Sequence, residues 1–226
     1  MPELSPIRQK RLARLQEADL YVVTCESLSE GRTDLEILDA AIAAGVRLVQ
    51  LRDKECTTAR LYEKAVEFRR RTRAAGVLLI INNRVDIAMA VDADGVHLGQ
   101  ADFPVAVARQ MMPDHIIGAS THNLEQALEA QRIGADYLNI GPIYPTKTKG
   151  GLSEFLGIEA VREIAPQLDI PCTVMGGIKA HHIPDLCQAG ARIIALVTAV
   201  TAQPDPTAAA QALRKIVGCI VIHLVR

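Results

Sequence analysis

One phrase recurs along the chain and restricts its folds more than any other feature. It reads AGVRLVQL from Ala44, AGVLLII from Ala75, IGADYLNI from Ile133 and AGARIIAL from Ala189, with a looser copy, DADGVHLG, from Asp92. Each copy is a small residue or Ile, then Gly, then a short apolar run; the looser copy puts Asp before Gly. Gly is favoured just past a helix end, where the chain enters the left-handed region. Each copy therefore marks a helix stopping and a buried strand starting.

The segments ahead of these copies have helical patterns. TDLEILDAAIAAG carries a T-x-x-E capping box at Thr33 and Glu36 and puts Leu35, Leu38 and Ile42 on one face. Residues 58–75 align Leu61, Ala65, Phe68 and Thr72 in a stripe, and NLEQALEAQRIG runs from a cap at Asn123 to Gly134. Apolar strands are expected at 20–24, 48–52, 78–82, 95–98, 116–120, 137–141, 172–176 and 193–198. Continuous apolar strands alternating with helices mean a parallel sheet covered on both faces. Eight such units in 226 residues, near the roughly 250 typical of the class, favour a closed (β/α)8 TIM barrel, read as one domain over 1–226 with its core at about 20–217. An open doubly wound sheet is disfavoured, because no G-x-G-x-x-G follows the first strand. Residues 5–17 read as an extra N-terminal helix, solvated and closing the bottom of the barrel.

Charge narrows the partners. With 25 basic and 26 acidic residues the net charge is −1, which argues against a general nucleic-acid or membrane surface. Any anion site must be a local arrangement. Trp is absent and aromatics make up 3%, too few for a platform that stacks single strands. Five cysteines at wide spacing (Cys25, Cys56, Cys172, Cys187, Cys219) with no C-x-x-C pair suggest a reduced, cytoplasmic setting. No apolar run follows the basic N-terminus, so it does not read as a signal peptide, and no apolar run is long enough to span a bilayer. The apolar tail CIVIHLVR from Cys219 leaves both internal packing and a homo-oligomer contact open.

In a barrel of this kind the active site lies at the C-terminal ends of the strands. Those ends carry Gln50, Arg52 and Lys54; Asn82 and Asn83; Gln100 and Asp102; Ser120, Thr121 and His122; Gly176 and Gly177; Val197 and Thr198. The sixth strand opens into GPIYPTKTKGG, residues 141–151, whose Pro and Gly exclude helix and central strand. Arg52, Lys54 and Lys149 would converge on one mouth with few carboxylates besides Asp53 and Asp102. Backbone N–H groups near Gly177 and the following helix start offer a second anion site, in the region where this fold often holds phosphate. A side chain at Gly177 would crowd a phosphate held there. Two subsites follow: one cationic, one built from backbone donors. His97 reads as a core histidine, His122 as a candidate acid or base, and His181 and His182 as adjacent side chains pointing apart, unsuited to a metal pair.

The motifs QLRDK, INNRVDIAMAVDADGVHLGQAD, GASTH, ADYLNIGPIYPTKTK, MGGI and ALVTAV, in this order and spacing over about residues 20–200, resemble the thiamin phosphate synthases. The combination of GPIYPTKTK with GVHLGQ is the specific part. The resemblance implies a transferase that joins a hydroxymethylpyrimidine diphosphate to a thiazole phosphate, forming thiamin phosphate and releasing pyrophosphate. It implies that Gln50, Arg52, Lys54, Asn82, Ser120 and Lys149 hold the pyrimidine diphosphate, with Ser120, Lys149 and Arg52 acting in catalysis. Thr146, Thr148, Gly177, Val197 and Thr198 would hold the thiazole phosphate, and Mg2+ would sit at Asn83 and Asp102. The partners implied are thus small molecules. One departure stands out: the family commonly has Asp where this chain has Asn83. The related thiazole tautomerases, which lack the PTKTK loop, come second, and a non-catalytic thiamin-phosphate-binding barrel third.

Overall fold

The computed structural model describes residues 4–146 and 154–224. Eight strands, β1 (Leu20–Val23), β2 (Leu48–Leu51), β3 (Leu78–Asn82), β4 (Gly95–Leu98), β5 (Ile116–Thr121), β6 (Tyr137–Ile140), β7 (Cys172–Val174) and β8 (Ile193–Leu196), pair in parallel in chain order. The eighth returns to the first, Tyr21 opposite Ala195, and closes a (β/α)8 barrel. The strands are mostly apolar because both faces are covered, helices outside and a filled interior within, with polar residues such as Gln50, His97, Ser120 and Asn139 set among them. Several stop earlier than the apolar runs suggest. β7 ends at Val174 because the carbonyls of Met175 and Gly176 accept from the N–H groups of Ile143 and Tyr144, in the loop after β6. The strand ends are thus drawn into the mouth rather than into the ladder.

The helices are α1 (Pro6–Gln16), α2 (Asp34–Ala43), α3 (Thr58–Ala75), α4 (Val85–Ala90), α5 (Val105–Met111), α6 (Leu124–Arg132), α7 (Gly157–Ile164), α8 (Ile183–Gln188), α9 (Thr198–Thr201) and α10 (Pro206–Leu224). The Thr33–Glu36 capping box forms, with Glu36 Oε2 accepting from Thr33 N at 2.8 Å. In α2 the buried stripe is Asp34, Ile37, Leu38 and Ala41; Leu35 and Ile42 are half-buried at its margin, because α3 and α10 flank the helix on either side. The stripe on α3 is the expected one, Leu61, Ala65, Phe68 and Thr72. The fifth, looser copy of the repeat behaves differently from the others. Asp92 takes the left-handed turn there (φ 49°), while Gly95 already lies in β4, where a Cβ would meet the Ile116 carbonyl oxygen at 2.2 Å.

The N-terminal helix α1 forms and closes the bottom of the barrel with its outer face exposed, as expected, but its inner face does more than cover. Leu15 is 1% exposed and joins Tyr21, Leu48, Leu78, Ile80, Ile116 and Tyr137 in the barrel interior. Its arginines are used up: Arg8 pairs with Asp136 at 2.7 Å, Arg11 with Asp92 at 3.1 Å, and Arg14 approaches Asp94 at 3.7 Å. Asp94 and Asp136 in turn accept from the N–H groups of Leu79 and Ile117, so α1 is riveted to the lower rim of the strands. The tail from Cys219 continues α10 to Leu224. No helix among the described residues is long and apolar enough to cross a membrane.

Candidate active site

The C-terminal ends of the strands surround an open pocket. Gln50, Arg52, Lys54, Asn82, Asn83, Asp102, Ser120, Thr146, Gly177, Val197 and Thr198 all line it. Thr148 and Lys149 lie outside the described residues. His122 also lines the pocket, with Nδ1 donating to the Gly141 carbonyl at 2.5 Å. Gln100 stays at the exposed rim and Thr121 is buried behind the wall.

The loop after β2 separates its charges. Thr24 Oγ1 accepts from Arg52 N at 3.2 Å, and Arg52 Nη1 lies 3.5 Å from Cys25 Sγ. Among the described residues neither Arg52 nor Lys54 has a carboxylate within ion-pair distance. Asp53, between them, is turned away. Its Oδ1 accepts from the N–H groups of Glu55 and Cys56, and its Oδ2 meets Lys64 Nζ at 2.7 Å. Burial alone would raise the Asp53 carboxyl; Lys64 and the two N–H groups outweigh it and hold it at about 2. Lys64 also binds Glu26 at 2.7 Å and the fully buried Asp34 at 3.0 Å. One lysine on α3 thereby anchors the loop that carries two uncompensated cations.

Across the mouth, Asn83 takes a left-handed conformation (φ 62°) that aims its amide at Asp102. Asn83 Nδ2 donates to Asp102 Oδ1 at 2.8 Å, and Gly99 N donates to Asp102 Oδ2 at 2.6 Å. The Asp102 carboxylate keeps lone pairs in reserve, at the mouth, with no ion-pair partner among the described residues. A hard cation that takes one or two carboxylates and completes its shell with water and substrate phosphate suits such a donor set. Asn83, as placed, steadies Asp102 through nitrogen.

The opposite wall is backbone. Gly176 and Gly177 both have positive φ, 107° and 62°. The N–H groups of Gly177, Ile178, Val197 and Thr198 donate to no described residue, and all four residues line the pocket. Unsatisfied N–H groups clustered beside a cavity are anion ligands in waiting. The reason for glycine at 177 differs from the expectation. A Cβ there would lie 2.3 Å from the Pro145 carbonyl oxygen and 2.8 Å from that of Tyr144, so it would strike the loop after β6 rather than a bound phosphate directly.

The sequence of residues 20–200 matches the model of the family described as thiamine monophosphate synthase. The thiamine-phosphate synthase of Chloroflexus aurantiacus is 47% identical over 207 residues, 92% of this chain and 96% of that protein. That of Pelotomaculum thermopropionicum is 41% identical over 94% of this chain and 98% of its own length. The chain belongs to this family. It is a transferase of the thiamine-phosphate synthase type, and its barrel superposes on the thiamine phosphate pyrophosphorylase of Pyrococcus furiosus with a TM-score of 0.84 and 37% identity, over 92% of this chain and 99% of that one. A 3-hexulose-6-phosphate synthase, 18% identical with a TM-score of 0.65 over 88% of this chain and 99% of that one, shares the fold alone.

Against that family background, the sequence reading missed the floor of the site. His97 is buried as expected, but it also faces Ser120, with Nε2 2.9 Å from Ser120 Oγ. Its Nδ1 is 2.9 Å from the Tyr137 hydroxyl, which meets the Tyr21 hydroxyl at 2.8 Å. Burial pushes His97 down to about 4 and raises both phenols, so all three are neutral near pH 7. Asn139, also on the wall, accepts from the Thr173 hydroxyl at 2.9 Å. Tyrosines inside apolar strands were the available signal, since a buried phenol needs a partner. His181 and His182 do not point apart: they lie on a 3-10 turn with ring centroids 4.0 Å apart, and His182 stacks on Tyr144 at 3.9 Å.

Proposed function

We propose that the pocket condenses 4-amino-2-methyl-5-(diphosphooxymethyl)pyrimidine with 4-methyl-5-(2-phosphooxyethyl)thiazole. The observation that carries this reading is the division of one pocket into two anion subsites of different chemistry. One has the guanidinium of Arg52 and the ammonium of Lys54, without carboxylate partners among the described residues. The other has the N–H groups of Gly177, Ile178, Val197 and Thr198, which donate to no described residue. A diphosphate suits the first and a monophosphate the second, which matches a pair of phosphorylated substrates bound together.

The reaction needs little covalent help. The C–O bond between the pyrimidine methylene and the diphosphate breaks, the electron pair leaves with pyrophosphate, and the electron-rich aminopyrimidine carries the positive charge. The thiazole nitrogen then forms the new N–C bond. Arg52, Lys54 and Lys149 offset the negative charge that grows on the leaving group. Gln50, Asn82 and Ser120 orient the pyrimidine, while Thr146, Thr148 and the backbone wall hold the thiazole phosphate, so that capture takes place between prepositioned partners. Asp102 would hold Mg2+, with Asn83 beside it; when bound, the ion adds divalent charge at the departing diphosphate. Small molecules are the partners of this site.

Incubating the protein with both substrates and Mg2+ tests the reading. Thiamin phosphate and pyrophosphate should appear in equal amounts. Binding of both substrates without turnover would favour a non-catalytic barrel instead.

A further inference from the structure

The barrel interior holds a line of polar atoms where packing alone calls for apolar ones. Gln50 Nε2 donates to the Tyr21 hydroxyl at 2.6 Å, and the Tyr21 and Tyr137 hydroxyls meet at 2.8 Å. His97 Nδ1 is 2.9 Å from the Tyr137 hydroxyl, and His97 Nε2 is 2.9 Å from Ser120 Oγ. Tyr21 and Tyr137 are fully buried and Gln50 is 2% exposed. Gly118 makes room for the line: a Cβ there would lie 2.1 Å from Tyr137 Cζ and 2.4 Å from its hydroxyl.

The line has a direction. At its far end Gln50 offers an amide nitrogen, which can only donate. Tyr21 accepts it, so the Tyr21 hydrogen goes to Tyr137, and the Tyr137 hydrogen goes to His97 Nδ1. A neutral imidazole that accepts at Nδ1 carries its hydrogen on Nε2, and that hydrogen points at Ser120 Oγ. With Gln50 donating, any other arrangement strands a phenol hydrogen with no described partner in a buried site. Ser120 therefore accepts from below, and its own hydrogen is turned into the pocket.

We propose that this one-way chain makes Ser120 a fixed hydrogen-bond donor, so that the site selects a substrate presenting an acceptor ring nitrogen there. His97, Tyr137 and Tyr21 are positioning residues for Ser120 and Gln50, which lie at the two ends of the same chain. Left to itself a serine hydroxyl can donate to the imidazole below it or accept from it; the chain removes the first choice and leaves the hydroxyl hydrogen for the pocket. The proposal rests on the pyrimidine diphosphate being the substrate, and its first test does not.

Nitrogen-15 NMR of the full chain with labelled histidine reads the His97 tautomer in the unliganded protein. The Nε2–H form is expected. The Nδ1–H form would mean that the chain runs from Ser120 to the Gln50 carbonyl oxygen, and overturns the proposal. Tyr137→Phe should release the tautomer and lower kcat/KM for the pyrimidine diphosphate about tenfold, one net hydrogen bond, with the KM for thiazole phosphate within about twofold of wild type. An unchanged kcat/KM for the pyrimidine diphosphate overturns it. Substrate analogues with each ring nitrogen replaced in turn by C–H complete the test without relying on that variant. One analogue should lose about tenfold on the wild type and nothing further on Ser120→Ala; equal penalties on both proteins count against the proposal. A wild type that forms no thiamin phosphate would instead count against the substrate reading, whatever tautomer His97 holds.

Discussion

Replacing Asn83 by Asp changes one atom type at a defined contact, and its cost can be worked out. Asn83 Nδ2 now donates to Asp102 Oδ1 at 2.8 Å. In Asn83→Asp two carboxylate oxygens face each other there. Two unit charges 2.8 Å apart repel by about 1.5 kcal/mol at the dielectric of water and about 6 kcal/mol at an effective value of ~20. Both residues are half-buried, so the figure lies between. The new carboxyl can also escape by taking up a proton, which at pH 7 costs about 1.4 kcal/mol for each of roughly three pH units above its ordinary value, a ceiling of about 4 kcal/mol. The lost charge-assisted hydrogen bond sets a floor of about 1.5 kcal/mol. A loss of about 2–4 kcal/mol is expected at pH 7 without divalent ions, lowering Tm by roughly 5–15 °C for a chain of this size.

Magnesium reverses the sign of the argument. Two carboxylates are better ligands for a hard cation than one carboxylate and an amide. Saturating Mg2+ should therefore restore Asn83→Asp by about 2–3 kcal/mol, the linkage expected near a hundredfold excess over Kd, and should raise the wild type less. The half-saturating Mg2+ for turnover should fall while the substrate constants move little. Thermal unfolding in EDTA and in Mg2+ reads both effects. Equal melting of the two proteins in EDTA would refute the Asn83–Asp102 bond, and equal stabilisation by Mg2+ would refute position 83 as a metal ligand.

Lys64→Met should remove the countercharge of three carboxylates at once and cost up to about 3–5 kcal/mol, because one of them, Asp34, is fully buried; urea unfolding checks it, and a loss below 1 kcal/mol would show that the tie is idle. Holding Asp53 at about 2 instead of 3.8 contributes roughly 2 kcal/mol that is present above about pH 4 and lost as pH falls through 2. Stability of the wild type should therefore fall over that window, and the fall should be shallower in Asp53→Asn. Gly177→Ala, with its Cβ 2.3 Å from the Pro145 carbonyl oxygen, should displace the loop after β6 and raise the KM for thiazole phosphate more than that for the pyrimidine diphosphate; equal effects would indicate a general loss of folding. Lys149→Ala should lower turnover roughly 10²–10³-fold, the usual cost of one contact to developing charge, and turnover within a factor of two would remove Lys149 from the mechanism.

The pattern of the site was readable because the strand ends change character abruptly. Gln50, Arg52, Asn82, Ser120 and Val197 each follow an apolar run, and a parallel barrel puts every such end on one side. The tyrosines signalled buried hydroxyls in need of partners, but which way they point was not readable, for the same reason. Strands buried on both faces show no alternation, so nothing in LYVV or YLNI tells that Tyr21 and Tyr137 point inward and Leu20 and Leu138 outward. Gly118 gave no hint either, since its role is to leave room for a ring that lies 19 residues later in the chain. The fifth repeat misled through composition: Gly95 looked like a helix stop, yet Asp92 makes the turn and Gly95 admits a neighbouring strand.

The arginines teach a related lesson. Arg8, Arg11, Arg69 and Arg109 look in the sequence as available for an anion as Arg52 does. At the lower rim of the barrel each is paired with Asp92, Asp94 or Asp136, up to 128 residues away. At the upper mouth neither Arg52 nor Lys54 has a carboxylate within ion-pair distance among the described residues, and the Asp53 between them is tied to Lys64. Residue type is therefore the same at both ends, and compensation is what differs. A net charge of −1 is compatible with the proposed site for two phosphorylated substrates because many carboxylates are paired at the lower rim and in the outer loops, while Arg52 and Lys54 have no such partner among the described residues where the strands end. On the proposed reaction the division serves both ends: the lower-rim pairs tie α1 to the strands, while Arg52 and Lys54, with no carboxylate at ion-pair distance among the described residues, would meet an incoming diphosphate without first giving up an ion pair.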